Sequence, residues 1–146
     1  MSLESSEQKR LWEKTDGAAP QGAGVRVAGV GGFERIREVM DVVASMPEFP
    51  VGDEVWHERL PGWFIDSFLR FSAEELQRDP HLWDLGSWID GMSDRGWEWY
   101  SSKHDVGSDR WQVWLSVYED PYRAGALEYL AEAAGASELE ICDWMS

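Results

Sequence analysis

The sequence predicts an α+β fold, a two-layer sandwich in which about three helices lie on one face of a largely antiparallel sheet of about six strands. Two observations lead to this prediction. Two aromatic and β-branched runs alternate with period two on either side of a turn-rich stretch, which is typical of a β-hairpin. Stretches with helical apolar spacing are interleaved with further strand-like runs, so the helices are expected to share one face of the sheet.

The chain divides into an N-terminal tail and one domain. A length of 146 residues suits a single domain with a sizeable core. Residues 16–22 contain glycine, alanine and proline in a pattern typical of a linker, and residues 6–14 fit a short polar helix. We therefore expect a flexible tail over 1–24 and a single α+β domain over 25–146.

The first half of that domain contains a strand, a helix and an aromatic segment. Residues 25–30 fit a short strand, and apolar residues at helical spacing predict a helix over 33–46. Residues 53–60 and 63–71 are interpreted as two strands, because Pro61-Gly62 between them is a turn signal. The second run also fits one face of a helix, formed by Phe64, Ile65, Phe68 and Leu69.

The remaining elements are predicted mainly from cap signals. Ser72 begins a capping box, and Asp79-Pro80 has the residue types favoured at the start of a helix. Asp120-Pro121 repeats that signal before a helix that ends at Gly135, and residues 138–144 alternate as a last strand. The predicted order is β-α-β-β-α-β-β-α-β, whose first six elements follow the ferredoxin-like order.

The hairpin is predicted from strands at 97–100 and 111–118, joined by a polar connection through His104 and Gly107. Successive side chains on a strand point to opposite faces. One face is therefore expected in the core, with Trp97, Trp99, Trp111, Val113, Leu115 and Val117. The other face mixes aromatic and polar side chains, and we interpret it as a binding surface formed by Glu98, Tyr100, Gln112, Trp114 and Tyr118. The alternative is that a helix, or the tail through Trp12, covers this face.

Charge restricts the class of partner. The chain has 28 acidic and 13 basic residues, a formal net charge of −15, and residues 105–146 alone hold nine acids and two bases. Nucleic acid and anionic membranes need a basic surface, so neither is expected as a partner, whereas the charge permits a basic protein. The alternative is that the charge only keeps monomers of a soluble protein apart. No apolar run is long enough to span a membrane and no leader pattern begins the chain, which favours a cytoplasmic protein. Cys142 is the single cysteine, so no intramolecular disulfide forms.

Catalytic patterns are few. His57, His81 and His104 lie on three separate predicted elements, and none belongs to a metal-binding His-x-x-x-His arrangement. No metal site or cofactor is predicted. The alternative is that these three histidines converge on a tryptophan-lined pocket, since His57-Glu58 and His104-Asp105 each pair a base with a carboxylate.

Three hypotheses for function follow. The favoured one is a non-enzymatic protein-binding domain, an inhibitor or an antitoxin-like or immunity-like partner of a basic protein. It rests on the acidic charge, the aromatic face of the hairpin and the lack of catalytic motifs. The second is a small-ligand-binding domain or an enzyme that uses the tryptophan-lined pocket. The third is a homodimer formed through an open face of the sheet.

Overall fold

The computed structural model describes residues 5–46, 54–70, 72–79, 83–119 and 121–144. The strands are β1 (Gly24–Val30), β2 (Trp97–Asp105), β3 (Arg110–Val117) and β4 (Ser137–Trp144). The helices are α1 (Ser6–Glu13), α2 (Phe33–Ala44), α3 (Glu54–Arg59), α4 (Gly62–Ser67), α5 (Ala73–Arg78), α6 (Leu85–Ser93) and α7 (Gly125–Ala133), and a 3-10 turn (Phe68–Arg70) follows α4.

The described strands form one sheet in the order β2-β3-β1-β4, and every neighbouring pair is antiparallel. The α+β class is confirmed. The predicted element count is wrong: the described residues contain four strands rather than about six, and more helices than about three. The predicted ferredoxin-like order of the first six elements is also wrong, because the helices α3 to α6 lie between α2 and β2. The order β-α-β-β-α-β is obtained from β1, α2, β2, β3, α7 and β4 only if those four helices are left out.

The missing strands are the two predicted at 53–60 and 63–71. The described residues of these ranges form the helices α3 and α4 and the 3-10 turn that follows α4. Helical spacing explains the difference. Trp56 and Leu60 are four residues apart and both buried, and the Leu60 N–H donates a 2.8 Å hydrogen bond to the Trp56 carbonyl. Phe64 and Phe68 repeat this spacing and are both buried. Pro61, interpreted as part of a hairpin turn, is the N-cap of α4.

The starts of the later helices agree with the predicted starts or differ from them by a few residues. Ser72 caps α5 as predicted, with its hydroxyl accepting from the Glu75 N–H. The next described helix, α6, is capped by Asp84 rather than Asp79, and Pro80 lies outside the described residues. Helix α7 begins at Gly125, after the predicted start at Asp120-Pro121, of which Asp120 is outside the described residues.

The core lies between one face of the sheet and the helices α2 and α7. The predicted core face of the hairpin is confirmed, since Trp97, Trp99, Trp111, Val113 and Leu115 are at most 2% exposed. Phe33 at the start of α2 packs against Trp99 and Trp111, with ring centroids 6.2 Å apart in each case. Helices α3, α4 and α6 add a second aromatic cluster next to α7, formed by Trp56, Phe64, Phe68, Trp88 and Tyr129.

Candidate functional site

A β-bulge at Tyr100 changes which side chains of β2 face the core. Trp99 pairs with Leu115 and Ser101 pairs with Trp114, so Tyr100 has no partner on β3. An extra residue reverses the alternation that follows it. Consequently Ser102 faces the core beside Val113, and Ser101 and Lys103 lie on the opposite, open face. The strands also extend to Asp105 and Arg110, so His104 belongs to β2 and not to the connection.

The N-terminal segment lies against part of the open face. The Ser101 hydroxyl donates to the Ala18 carbonyl, and a Cβ added at Gly17 would lie 3.3 Å from the Trp114 ring. Trp12 is elsewhere: its indole N–H donates to Asp41 over 2.8 Å, and Arg37 stacks on its ring. Trp114 is therefore covered in part by the tail, through residues other than Trp12.

The other members of the predicted surface have different surroundings. Glu98 accepts a 2.9 Å hydrogen bond from Arg10, and the Lys14 ammonium lies 5.0 Å from the centroid of the Tyr100 ring. Gln112 is half-buried on the open face, whereas Tyr118 follows the end of β3 and is 62% exposed. Two of these residues are thus engaged with α1 and the residue after it, and the binding surface proposed from alternation alone remains a prediction.

A buried ion pair joins α1 to the outer edge of β2. Arg95 donates to Glu7 over 2.7 Å and to the Trp97 carbonyl over 2.7 Å, and the Trp99 N–H donates to Glu7 over 2.8 Å. Burial raises the pKa of the Glu7 carboxyl, and the Arg95 guanidinium and the Trp99 N–H oppose that rise. We assign this pair to the attachment of the N-terminal helix, since its hydrogen bonds all lie within the fold.

The histidines occupy different environments. His57 is exposed on α3, and His81 lies outside the described residues. His104 stacks on Phe33 with ring centroids 4.7 Å apart, and its Nε2 lies 2.8 Å from the Asp109 carboxylate. No group of three or more potential metal-binding side chains occurs in the parts of the chain that the structure describes. The pocket that combines the three histidines stays a prediction.

A cleft of about 660 Å³ lies on the open face, at the end of the sheet near the hairpin turn. Its charged and polar lining comes from all strands except β1, with Lys103, Asp105, Arg110, Gln112, Glu138 and Glu140. The two glutamates form its β4 side, where Arg110 approaches Glu138 at 3.5 Å. Glu138 has φ of 54°, a conformation that costs a non-glycine residue about 1–2 kcal/mol, so the chain keeps a strained acidic residue at this point.

Strand β4 forms one side of the cleft and carries acidic residues on both of its faces. The segment from α7 through β4 contains five acidic residues and no lysine or arginine. We call these five the acidic surface: Glu128, Glu132, Glu138, Glu140 and Asp143. All five are exposed. Glu138 and Glu140 line the open-face cleft, whereas Asp143, which pairs with Val25, projects toward the helix side.

Tyr122 marks the helix side of the acidic surface. Its hydroxyl donates a hydrogen bond to the Asp143 carboxylate. Burial, that hydrogen bond and the charges of Asp143 and Glu128 raise the pKa of Tyr122 to about 12. The contact between Tyr122 and Asp143 places the segment that precedes α7 beside the end of β4.

Sequence reasoning detected the excess of acids after residue 105 but did not locate it in the fold. The absence of lysine and arginine after Arg123 is the signal that separates β4 and α7 from the rest of the chain. What the sequence could not provide was the position of β4 at an edge of the sheet, beside β1.

The described residues include no helix with both the length and the apolar character needed to cross a membrane. Comparisons with protein-family models, with curated proteins and with solved structures found no match to this chain.

Proposed function

We propose that this protein is a non-enzymatic binding domain that captures a basic polypeptide, as an inhibitor-like or immunity-like partner would. The observation that carries the proposal is the acidic surface, where five exposed carboxylates lie along α7 and the edge strand β4 with no lysine or arginine among them. A net charge of −15 makes the compact fold repel itself, and a cationic partner reduces that repulsion on binding.

The geometry of β4 supports this assignment over the hairpin surface. Glu138 and Glu140 are exposed and adjoin the open-face cleft. Arg110 approaches Glu138 at 3.5 Å, but both side chains of this pair are about two-thirds exposed, so a basic side chain of a partner can reach the two carboxylates without displacing a buried contact. On the hairpin surface, Glu98 is already bonded to Arg10, and Ala18 lies over the Ser101 hydroxyl beside Trp114. Rim charges of this kind mainly accelerate association and make binding sensitive to salt.

The test is binding of a fluorescent ten-residue peptide that alternates lysine and valine. We expect the double variant Glu138→Lys, Glu140→Lys to bind at least about tenfold more weakly than the wild type at low salt, and to show a smaller loss of affinity when salt is raised to about 0.15 M. Fluorescence anisotropy gives both affinities.

The matched control is Glu58→Lys, Asp90→Lys, which makes the same change in net charge at exposed positions on α3 and α6. It should bind the peptide within about threefold of the wild type, because the affected charges lie away from β4. If the two double variants lost peptide affinity equally, the result would contradict a specific binding site on β4. Net charge alone would then explain binding.

A further inference from the structure

We infer that the basic polypeptide binds as an added β-strand along the outer edge of β4. This inference rests on the proposed function and specifies how the partner is held. It starts from a difference between the two edges of the sheet, since the chain covers one edge with its own residues and leaves the other without a described partner.

The covered edge belongs to β2. There the Trp99 N–H donates to the Glu7 carboxylate, and the Trp99 carbonyl accepts a 2.9 Å hydrogen bond from Arg10. The Ser102 N–H donates to the Lys14 carbonyl, and the Ser102 carbonyl accepts from the Gly17 N–H, each over 3.1 Å. Covering an edge in this way prevents another chain from pairing with it.

The pairing of β1 fixes which groups of β4 face outward. The Gly31 N–H donates to Asp109 and the Val117 N–H donates to Ala23, so odd-numbered residues of β1 bond toward β3. The even-numbered residues must then bond toward β4, where Arg26 opposes Cys142 and Ala28 opposes Glu140.

Ile141 and Asp143, which alternate with those paired residues, therefore direct their N–H and C=O groups away from the sheet. No backbone hydrogen bond of the described residues satisfies these groups. They form the template that strand addition uses.

Charge identifies the occupant of this edge. Side chains of an added strand would alternate between the two faces, where they meet Glu138 and Glu140 on the open side and Asp143 on the helix side. Lysine or arginine on either side of the strand thus meets a carboxylate, and the cleft of about 660 Å³ gives room for the side chains on the open side. A second copy of β4 would bring acids opposite acids, which disfavours self-pairing.

The test uses amide hydrogen exchange, measured by NMR, on the full chain with the lysine–valine peptide. We expect the Ile141 and Asp143 amides to exchange fast in the free protein and at least about tenfold more slowly in the complex. The Cys142 amide, which is bonded to β1, should exchange slowly in both states. The control peptide has the same sequence with N-methyl groups at its central residues, which removes its backbone donors and keeps its charge.

The outcomes separate this inference from the proposed function. Protection of Ile141 and Asp143 by the first peptide, with at least about tenfold weaker binding of the methylated one, supports strand addition. Equal binding of both peptides without protection overturns strand addition but keeps an acidic binding surface. Binding of neither peptide overturns both proposals. Protection that grows with protein concentration in the absence of peptide would identify a second copy as the occupant and overturn the inference.

Discussion

Replacing Arg95 by methionine is expected to lower the free energy of unfolding by about 3–5 kcal/mol, because it leaves the Glu7 carboxylate buried without its counter-charge. The side chains of this pair are only 10% and 7% exposed, so water cannot take the place of the guanidinium. The substitution also removes the 2.7 Å hydrogen bond from Arg95 to the Trp97 carbonyl. Urea denaturation at neutral pH measures the loss.

The loss should depend on pH in a defined direction. Burial raises the pKa of Glu7 in the folded protein, so at a pH between its unfolded and its folded pKa the folded state binds more protons than the unfolded state. Such a group stabilises the fold in full below its unfolded pKa, and this contribution is lost as pH rises through its folded pKa. Without Arg95 the pKa of Glu7 rises further. The loss of unfolding free energy caused by Arg95→Met should therefore be smaller near pH 4 than at pH 7.

The control for Arg95→Met is Arg78→Met. Arg78 lies 3.7 Å from Glu74 on α5, and both side chains are more than two-thirds exposed. That loss should stay below about 1 kcal/mol and change little with pH. A similar small loss for Arg95→Met would contradict the burial of its ion pair with Glu7.

Replacing Gly32 by alanine is expected to destabilise the protein by about 2–3 kcal/mol. Gly32 is the N-cap of α2 with φ of 75°, and an added Cβ would lie 2.7 Å from the Ala134 carbonyl oxygen. The change therefore combines an unfavourable backbone conformation with a clash between α2 and the end of α7. Thermal unfolding followed by circular dichroism gives the difference.

Gly135→Ala separates these two causes. Gly135 also has a positive φ, of 97°, but a Cβ added there meets nothing within 4 Å. This variant should lose only the conformational part, about 1 kcal/mol. If Gly32→Ala were no more destabilising than Gly135→Ala, the close approach of α2 to α7 would be wrong.

The sequence predicted the regular parts of this fold from periodicity. The strand over 25–30, the helix that begins at Phe33 and the core face of the hairpin are all confirmed, because each buries one continuous apolar face. The bulge at Tyr100 left no such signal, since Ser101 and Ser102 are polar and yet both buried. The alternating pattern therefore predicted that the strand ends at Tyr100, whereas β2 continues to Asp105.

The helices α3 and α4 show a second limit of periodicity. A run such as Trp63-Phe64-Ile65 is apolar enough for a strand or for a buried helix, and tertiary contacts decide between them. Here Phe64 and Phe68, four residues apart, both contact Trp88, with ring centroids at 4.8 and 6.5 Å, which fits the spacing of a helix.

The sequence predicted the negative charge of the candidate site but not its position in the fold. The excess of acids after residue 105 is visible in the sequence, whereas the edge position of β4 depends on pairing between β1 and residues more than a hundred positions away. The attachment of the N-terminal segment to β2, through Glu7 and Lys14, likewise depends on contacts that span most of the chain.

Mapping where a basic peptide binds tests directly whether the binding site lies along β4. Amide chemical shifts of the isotopically labelled protein should be followed while the lysine–valine peptide is added. If the peptide binds along β4, the largest shift changes fall on residues 138–143 and on Gln112 in the adjoining cleft. Largest changes at Glu98, Trp114 and Tyr118 would instead place the site on the hairpin surface, and would contradict the assignment of binding to β4.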